Sequence, residues 1–281
     1  MPFVTLKEAI LSIPSNQLGA VGAFNYHNIE YAQAIVAGAE AENSPAILMV
    51  SEMMAKYVGI EIMASIGKII ARKATVPIAV MLDHGTDFDL IDESIGLGLS
   101  VMYDGSRFPF EENIANTKAV VEKAHAKGLS VEGEIGSLGI SEEGDEEYDQ
   151  HFTKPHEALQ FAEQTGIDVL AVSVGNTHGF YQGEQRIDVP RIKVIKDLVG
   201  DLPIVMHGGS DMDVIIVHDS VHAGIRKFNI ATDLRVAYSE AMLKTLSVLP
   251  IPNAPPKVFT PVKDAIQKVV QQKIRLFSLK D

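Results

Sequence analysis

PIAVMLDHG, residues 77–85, is an apolar run that ends abruptly in Asp83, His84 and Gly85. Such a segment reads as a strand buried on both faces. A histidine at its end points the imidazole out of the sheet rim, and the glycine after it lets the chain turn sharply. The ending recurs: AVSVGNTHG, 171–179, closes on His178, and PIVMHGG, 203–209, closes on His207. A single strand-end histidine is ordinarily a satisfied core or loop residue. Three converging on one rim supply three nitrogen ligands and leave a fourth position open, the ligand count of a catalytic zinc site.

Working outward from these runs, the chain alternates short β-rich segments with helix-period segments. The strands are GAFN near Asn25, AILMV before Ser51, PIAVML before Asp83 and SVMYD around Asp104. They continue as SVEGEIG around Glu134, DVLAVSV before Asn176, PIVM before His207 and IRKFNIA around Asn229. Between them EYAQAIVAGAEAEN, FEENIANTKAVVEKAHAKG and VPRIKVIKDLVGD space apolar residues by three and four and end near Gly or Asn. Eight strand–helix units predict a single (β/α)8 barrel over residues 1–281, close to the roughly 250 residues usual for that fold. A doubly wound open sheet is the competing architecture; the regularity of the units favours closure. From about residue 249 a tail with five prolines, VLPIPNAPPKVFTPVKDAI, precedes an amphipathic stretch and reads as an extension or a subunit contact.

Composition narrows the function. The chain has 281 residues, 46% of them hydrophobic, and no cysteine, so any metal must be held by His, Asp and Glu. A formal charge of −13 argues against a broad nucleic-acid surface or an anionic membrane, though not against a local anion site. The start MPFVTLKEAI lacks a signal pattern and no apolar stretch is long enough to span a bilayer, so a cytoplasmic location is expected.

In a barrel the strand C-terminal ends form the active face. Asp83 stands beside His84 as a candidate acid/base; its alternative is a carboxylate that caps the next helix. Glu132 and Glu134 share one face of an apolar strand, where charge is costly unless paired or metal-bound. Glu134, nearer the strand end, is the candidate ligand, and Glu132 a candidate for orienting a histidine from behind. HGGS at 207–210 and NIAT at 229–232 end the seventh and eighth strands, where phosphate binding recurs in barrels. Gly208, Gly209, Ser210, Asn229 and Thr232 have the small or polar character this needs. The acidic segment GISEEGDEEYDQHF reads as a loop over the rim or as a solvated surface loop.

Together PIAVMLDHG, DGSRFPFEEN, VEGEIGSLGISE, NTHGFY, MHGGSD and KFNIATD, in this order between Ala23 and Leu234, resemble the class II, metal-dependent ketose-bisphosphate aldolases. The resemblance implies a zinc-dependent barrel enzyme, a homodimer or homotetramer, that cleaves a fructose or tagatose 1,6-bisphosphate-like ketose into dihydroxyacetone phosphate and an aldehyde. It implies that His84, His178 and His207 bind zinc, with Glu134 as a further ligand in some states. Asp83 then handles the C4 hydroxyl proton, and Glu142 exchanges the proton at C3. Gly179, Gly208, Ser210, Asn229 and Thr232 fall at positions that hold dihydroxyacetone phosphate, and Asn25 and Ser51 at polar positions of the pocket floor. Breaking the C3–C4 bond leaves an enediolate, whose charge a divalent metal stabilises without a Schiff base. The chain departs from the family at Met81, Arg107, Ile140 and Gln182, which implies an aldehyde other than glyceraldehyde 3-phosphate. The rival readings are another metal-dependent barrel enzyme, such as a hydrolase, and a non-catalytic sugar-phosphate-binding paralogue. Neither has a use for the phosphate cradle, the histidines and both acid/bases together.

Overall fold

The computed structural model describes residues 2–14, 16–136, 151–181, 183–250 and 253–280. Eight parallel strands close into a barrel: β2 (Val21–Asn25), β3 (Ala46–Ser51), β4 (Ile78–Gly85), β5 (Ser100–Tyr103), β6 (Val131–Ile135), β7 (Val169–Val172), β8 (Ile204–Met206) and β9 (Ile225–Ile230). Neighbours in sequence are neighbours in space, and β9 returns to pair with β2. This is the predicted (β/α)8 barrel, with each of the eight strands where the apolar runs put it.

Side-chain alternation explains why these runs are apolar almost throughout. Phe24, Leu48, Val80, Val101, Leu170 and Ile204 point outward into the layer shared with the helices. Val21, Ala23, Ile47, Met49, Ala79, Met81, Met102, Val169, Ala171 and Val205 point inward and form a separate core inside the barrel. Continuing the inward phase toward the strand ends gives Asn25, Ser51, Asp83, Glu132, Glu134, His207, Lys227 and Asn229. Apolar residues therefore fill most of the interior below a polar top layer, and the buried pair Glu132 and Lys227 reaches down into it, Glu132 in register with Val169 and Lys227 with Val21 and Val205.

The surrounding helices are α2 (Ile29–Ala41), α3 (Glu52–Val58), α4 (Ile60–Lys73), α5 (Phe88–Gly96), α6 (Phe110–His125), α7 (Pro155–Thr165), α8 (Val189–Val199), α9 (Val214–Ala223), α10 (Thr232–Val248) and α11 (Pro255–Phe277). In α11, Val262, Ile266, Val270, Ile274 and Phe277 are buried at four- and three-residue spacing against α2 and α10. The Phe277 ring stacks on Phe228 of β9 at 4.6 Å, so the tail forms part of the helical ring.

Two elements at the opposite end carry no strong sequence periodicity. β1 (Phe3–Val4) pairs with the lower part of β4, and α1 (Leu6–Leu11) closes the barrel floor. A capping box between Thr5 and Glu8 starts that helix. Leu6, Ala9 and Ile10 then join the interior core, and the Leu6 N–H donates to Ser100 Oγ at 3.0 Å. Among the described residues no helix is long and apolar enough to cross a membrane.

Candidate active site

A cleft of about 290 Å³ opens at the C-terminal ends of the strands. Asn25, Ser51, Asp83, His84, His178, Gly179, Gly208, Ser210, Asn229 and Thr232 all line it. His207 and Glu134 lie directly beneath, almost fully buried, and Gly209 backs the turn with its N–H donating to the Asn229 carbonyl at 3.0 Å. Glu142 falls outside the described residues, as do Ile140 and Gln182.

Asp83 and His84 are adjacent, and in a regular strand they would face opposite ways. A register shift between Leu82 and Gly85, where β4 pairs with β5, turns both toward the cleft. The left-handed backbone sits on His84 itself, at φ 50°, and not on the glycine after it. Gly85 is needed for close approach: a Cβ there would lie 2.8 Å from Leu82 Cδ2 and 2.9 Å from the Met102 carbonyl. At Gly208 both reasons apply, since φ is 67° and a Cβ would strike the Thr177 carbonyl.

The ligand nitrogens of His84, His178 and His207 lie within 4.8 Å of one another. His84 meets His207 and His178 edge to face, at ring separations of 4.6 and 5.0 Å. Behind them, His207 Nε2 is 2.9 Å from Glu132 Oε1, which makes that nitrogen the N–H donor. In the neutral imidazole, the form that binds metal, Nδ1 is then left as a lone pair. It has no hydrogen-bond partner, and neither does the buried Glu134 Oε2; the two atoms stand 3.2 Å apart without hydrogen-bond alignment. Orphaned buried acceptors are costly unless something electropositive meets them. Three imidazoles, no thiolate and a nearby carboxylate are a donor set that fits a divalent transition metal. Asp104, whose Oδ2 is 2.8 Å from His84 Nδ1, forms a second possible ligand group with His84 and Glu134.

Charge in this cluster is strongly coupled. Burial pulls the His84 imidazole down, but Asp83, Asp104 and Glu134 outweigh it and raise it to about 10. Burial pushes Asp104 up, and its contacts to His84 and Ser106 more than reverse this, holding it well below the usual carboxylate range. At the exposed mouth, His178 is held down to about 4 by lost hydration, reinforced by His84 and His207. It is neutral at physiological pH, the form that binds metal.

A chain of hydrogen bonds connects this cluster to Asp83. Glu132 Oε2 is 2.8 Å from Lys227 Nζ, both side chains being fully buried. Lys227 also donates to Asn229 Oδ1 at 2.7 Å. Asn229 Nδ2 then donates to Asp83 Oδ1 at 3.2 Å, while Asn25 Nδ2 donates to Asp83 Oδ2 at 2.9 Å. Asp83 is thus held by two side-chain amides and caps no helix; Asp87 caps α5 instead. Ser51, besides facing the cleft, accepts from the Met54 N–H to cap α3.

Sequence reasoning missed Asp104, Lys227, His27 and Arg235. Lys227 stands two residues before Asn229, in the same inward phase, and Asp104 ends a strand; both signals were available. Two of the departures lie away from the lining residues. Met81 is buried in the barrel core, and the Arg107 guanidinium lies 5.2 Å from the Phe108 ring centroid.

A closed barrel with a histidine cluster and a flanking carboxylate over its active face defines a metal-dependent barrel enzyme. Residues 5–281 match the family model for fructose-bisphosphate aldolase class-II. The chain is 38% identical to a probable fructose-bisphosphate aldolase of Bacillus subtilis (strain 168), over 99% of this chain and 98% of that protein. It is also 38% identical to the fructose-bisphosphate aldolase of Geobacillus stearothermophilus, over 99% and 97%. Among solved structures, the YdjI aldolase of Escherichia coli K12 superposes with a TM-score of 0.86 at 30% identity, covering 98% of this chain and 97% of that one. The chain belongs to the class II fructose-bisphosphate aldolase family and is an aldehyde-lyase of that class.

Proposed function

We propose that this protein is a zinc-dependent aldolase that reversibly cleaves a phosphorylated ketose, of the fructose or tagatose 1,6-bisphosphate kind, into dihydroxyacetone phosphate and an aldehyde. The observation that carries the reading is the pair of orphaned buried acceptors, His207 Nδ1 and Glu134 Oε2, beneath a cleft that His84 and His178 line. His84, His178 and His207 would hold the ion, with Glu134 as a further ligand in some states. Imidazole and carboxylate donors without thiolate suit zinc, although other divalent metals share the preference. When bound, the metal supplies electrophilic stabilisation of the negative charge that develops on the ketose oxygens.

Asp83 takes the C4 hydroxyl proton as the C3–C4 bond breaks. The two amides that donate to its oxygens hold the carboxylate in place. Glu142 exchanges the proton at C3, a role that rests on the resemblance of VEGEIGSLGISE to the family. The phosphate of the dihydroxyacetone half lies among Gly179, Gly208, Ser210 and Thr232, where loop amides and the N-terminus of α10 favour an anion, with Gly209 shaping the turn behind them. Asn229, Asn25 and Ser51 offer polar contacts along the sugar. The enzyme acts in the cytoplasm as a homodimer or homotetramer.

The test is release of dihydroxyacetone phosphate from a panel of ketose mono- and bisphosphates, with and without a chelator. Release that the chelator stops and zinc restores is expected, and the best substrate identifies the aldehyde. A zinc-loaded protein that releases none from any member refutes the reading.

A further inference from the structure

Among the polar side chains that line the cleft, His27 has no part in the metal cluster, in the bonds that hold Asp83 or in the glycine-rich loop. It stands two residues beyond Asn25, in the short turn between β2 and α2. Both ring nitrogens are shielded from solvent, and among the described residues neither has a hydrogen-bond partner. Burial first, and then the Arg235 charge, hold the ring down to about 4, so it is uncharged at physiological pH. In that form it offers one N–H and one lone pair. Leaving both unmatched is a cost that a bound ligand can offset.

The ring is fixed from behind. Asn28, next in the chain, caps α2 by accepting from the Tyr31 N–H at 3.0 Å. Tyr31 packs edge to face on His27 at 4.9 Å and stacks on Tyr238 of α10 at 5.0 Å. A polar group held this way binds without losing much rotamer freedom.

Its place along the substrate follows from Asp83. The Asn25 amide donates to Asp83 Oδ2, and Ser51 is in register with Asp83 across β3 and β4. His27 and Met53 each lie two residues further along the chain from these, and both line the cleft. The wall built from β2 and β3 thus presents two amide or hydroxyl groups, an imidazole and a thioether, and no charged side chain among its lining residues. The dihydroxyacetone half takes the loops after β7, β8 and β9, which leaves this wall to the aldehyde half.

We propose that His27 is a specificity-determining residue for the aldehyde half, its imidazole hydrogen-bonding the C5 hydroxyl, the next along the sugar from the one that Asp83 handles. The inference rests on the aldolase reading and adds to it the carbon at which substrates are told apart. A hydroxyl can accept from the ring N–H or donate to the ring lone pair. A substrate without it leaves the shielded nitrogens unmatched, which is how a site built around a hydrogen bond rejects the analogue lacking it.

Condensation of dihydroxyacetone phosphate with racemic lactaldehyde and with propanal tests this on the zinc-loaded protein, because the two aldehydes differ only in the hydroxyl that becomes C5. The lactaldehyde-to-propanal ratio of kcat/KM should be about ten- to hundred-fold higher in wild type than in H27F or H27L. H27N and H27Q, which keep a donor and an acceptor, should retain part of the preference. Dihydroxyacetone phosphate affinity, measured calorimetrically, should be little changed in all four. A merely structural role would slow both aldehydes alike and leave the ratio intact. An unchanged ratio in H27F and H27L therefore overturns the proposal. So does a loss confined to dihydroxyacetone phosphate affinity, which would assign the ring to the other half of the substrate. Either result, with wild type still turning over, leaves the aldolase reading standing. A wild type that condenses neither aldehyde overturns the proposal, and one that also cleaves no ketose overturns the aldolase reading with it.

Discussion

Lys227→Met tests the buried ion pair that joins the histidine cluster to Asp83. Lys227 and Glu132 are each 0% exposed and 2.8 Å apart, so the substitution leaves a carboxylate deep in the barrel with His207 as its remaining partner. Removing one member of a buried pair costs about 3–5 kcal/mol, because the other charge stays unsolvated. Burial raises the Glu132 carboxyl in the native protein, and Lys227 first and His207 second bring it down to about 2. Without the lysine it can relieve the strain by taking up a proton, which places the expected loss near ~3 kcal/mol. The sign follows from linkage. A carboxyl lowered in the fold stabilises above its unfolded value near 4.5 and loses that contribution as pH falls toward about 2. The deficit of the variant should therefore be full at neutral pH and shrink as the pH falls below 4.5. Thermal unfolding of metal-free wild type and variant reads it as a Tm drop on the order of 6–12 °C at pH 7. Adding Glu132→Gln removes the stranded charge and should recover much of the loss. Activity should fall as well, since Asn229 loses the donor to its Oδ1 and with it the orientation in which it holds Asp83. A Tm within 2 °C of wild type, or a double variant no more stable than the single, would refute this reasoning.

His178→Ala should abolish metal retention and activity together, measured as bound zinc and as aldol cleavage. Glu142→Gln should spare zinc and substrate affinity while lowering turnover ~10²–10⁴-fold; loss of zinc in that variant would refute its assignment to proton exchange. Metal affinity should rise at least about ten-fold per pH unit between roughly pH 6.5 and 8.5 in a chelator competition, because a bound metal must displace the proton that His84, raised to about 10, otherwise keeps. Against burial and the His84 charge, Glu132 and Glu134 raise His207 as well. His178, at about 4, adds nothing to that slope, and a flat profile would mean His84 is neutral in the metal-free protein. The same His84 proton stabilises the metal-free fold below its unfolded value near 6.5, and this contribution is lost as pH rises through about 10. Gly208→Ala should cost about 1–3 kcal/mol through its left-handed backbone and raise the dissociation constant for dihydroxyacetone phosphate, as the Thr177 carbonyl must shift to admit the methyl.

The barrel was legible because its strands are buried on both faces. A parallel strand covered by helices outside and packed inside reads as one apolar run, and eight of these appear between Val21 and Ile230. The histidines were legible for the converse reason: each interrupts such a run at its end. What escaped was whatever has no period. α1 is only six residues long, too short for a helical stripe to emerge, yet its docking under the barrel is a tertiary effect that decides the floor. Lys227 looked like one more basic residue in IRKFNIA, because a sequence does not say that its partner Glu132 lies 95 positions away. The reason offered for the glycine after His84 was also wrong in kind. The histidine carries the unusual backbone angle and the glycine makes room. Arg235 belongs to a helix face, where cations are common; only the cleft beside it distinguishes it from a solvated surface residue.

Met49, Met81 and Met102 lie wholly buried in the barrel interior, Met49 in register with Asn25 and Met102 with Glu132 of the polar network. Unbranched thioethers fill irregular space and adjust at little cost where branched side chains would clash. The catalytic layer thus rests on a compliant cushion. Exchanges above it, of the kind that retune which aldehyde is accepted, can be absorbed by three side chains changing rotamer, without a matching substitution in the strands. A lineage exploring new sugars on this scaffold would keep its metal centre while altering the residues around it.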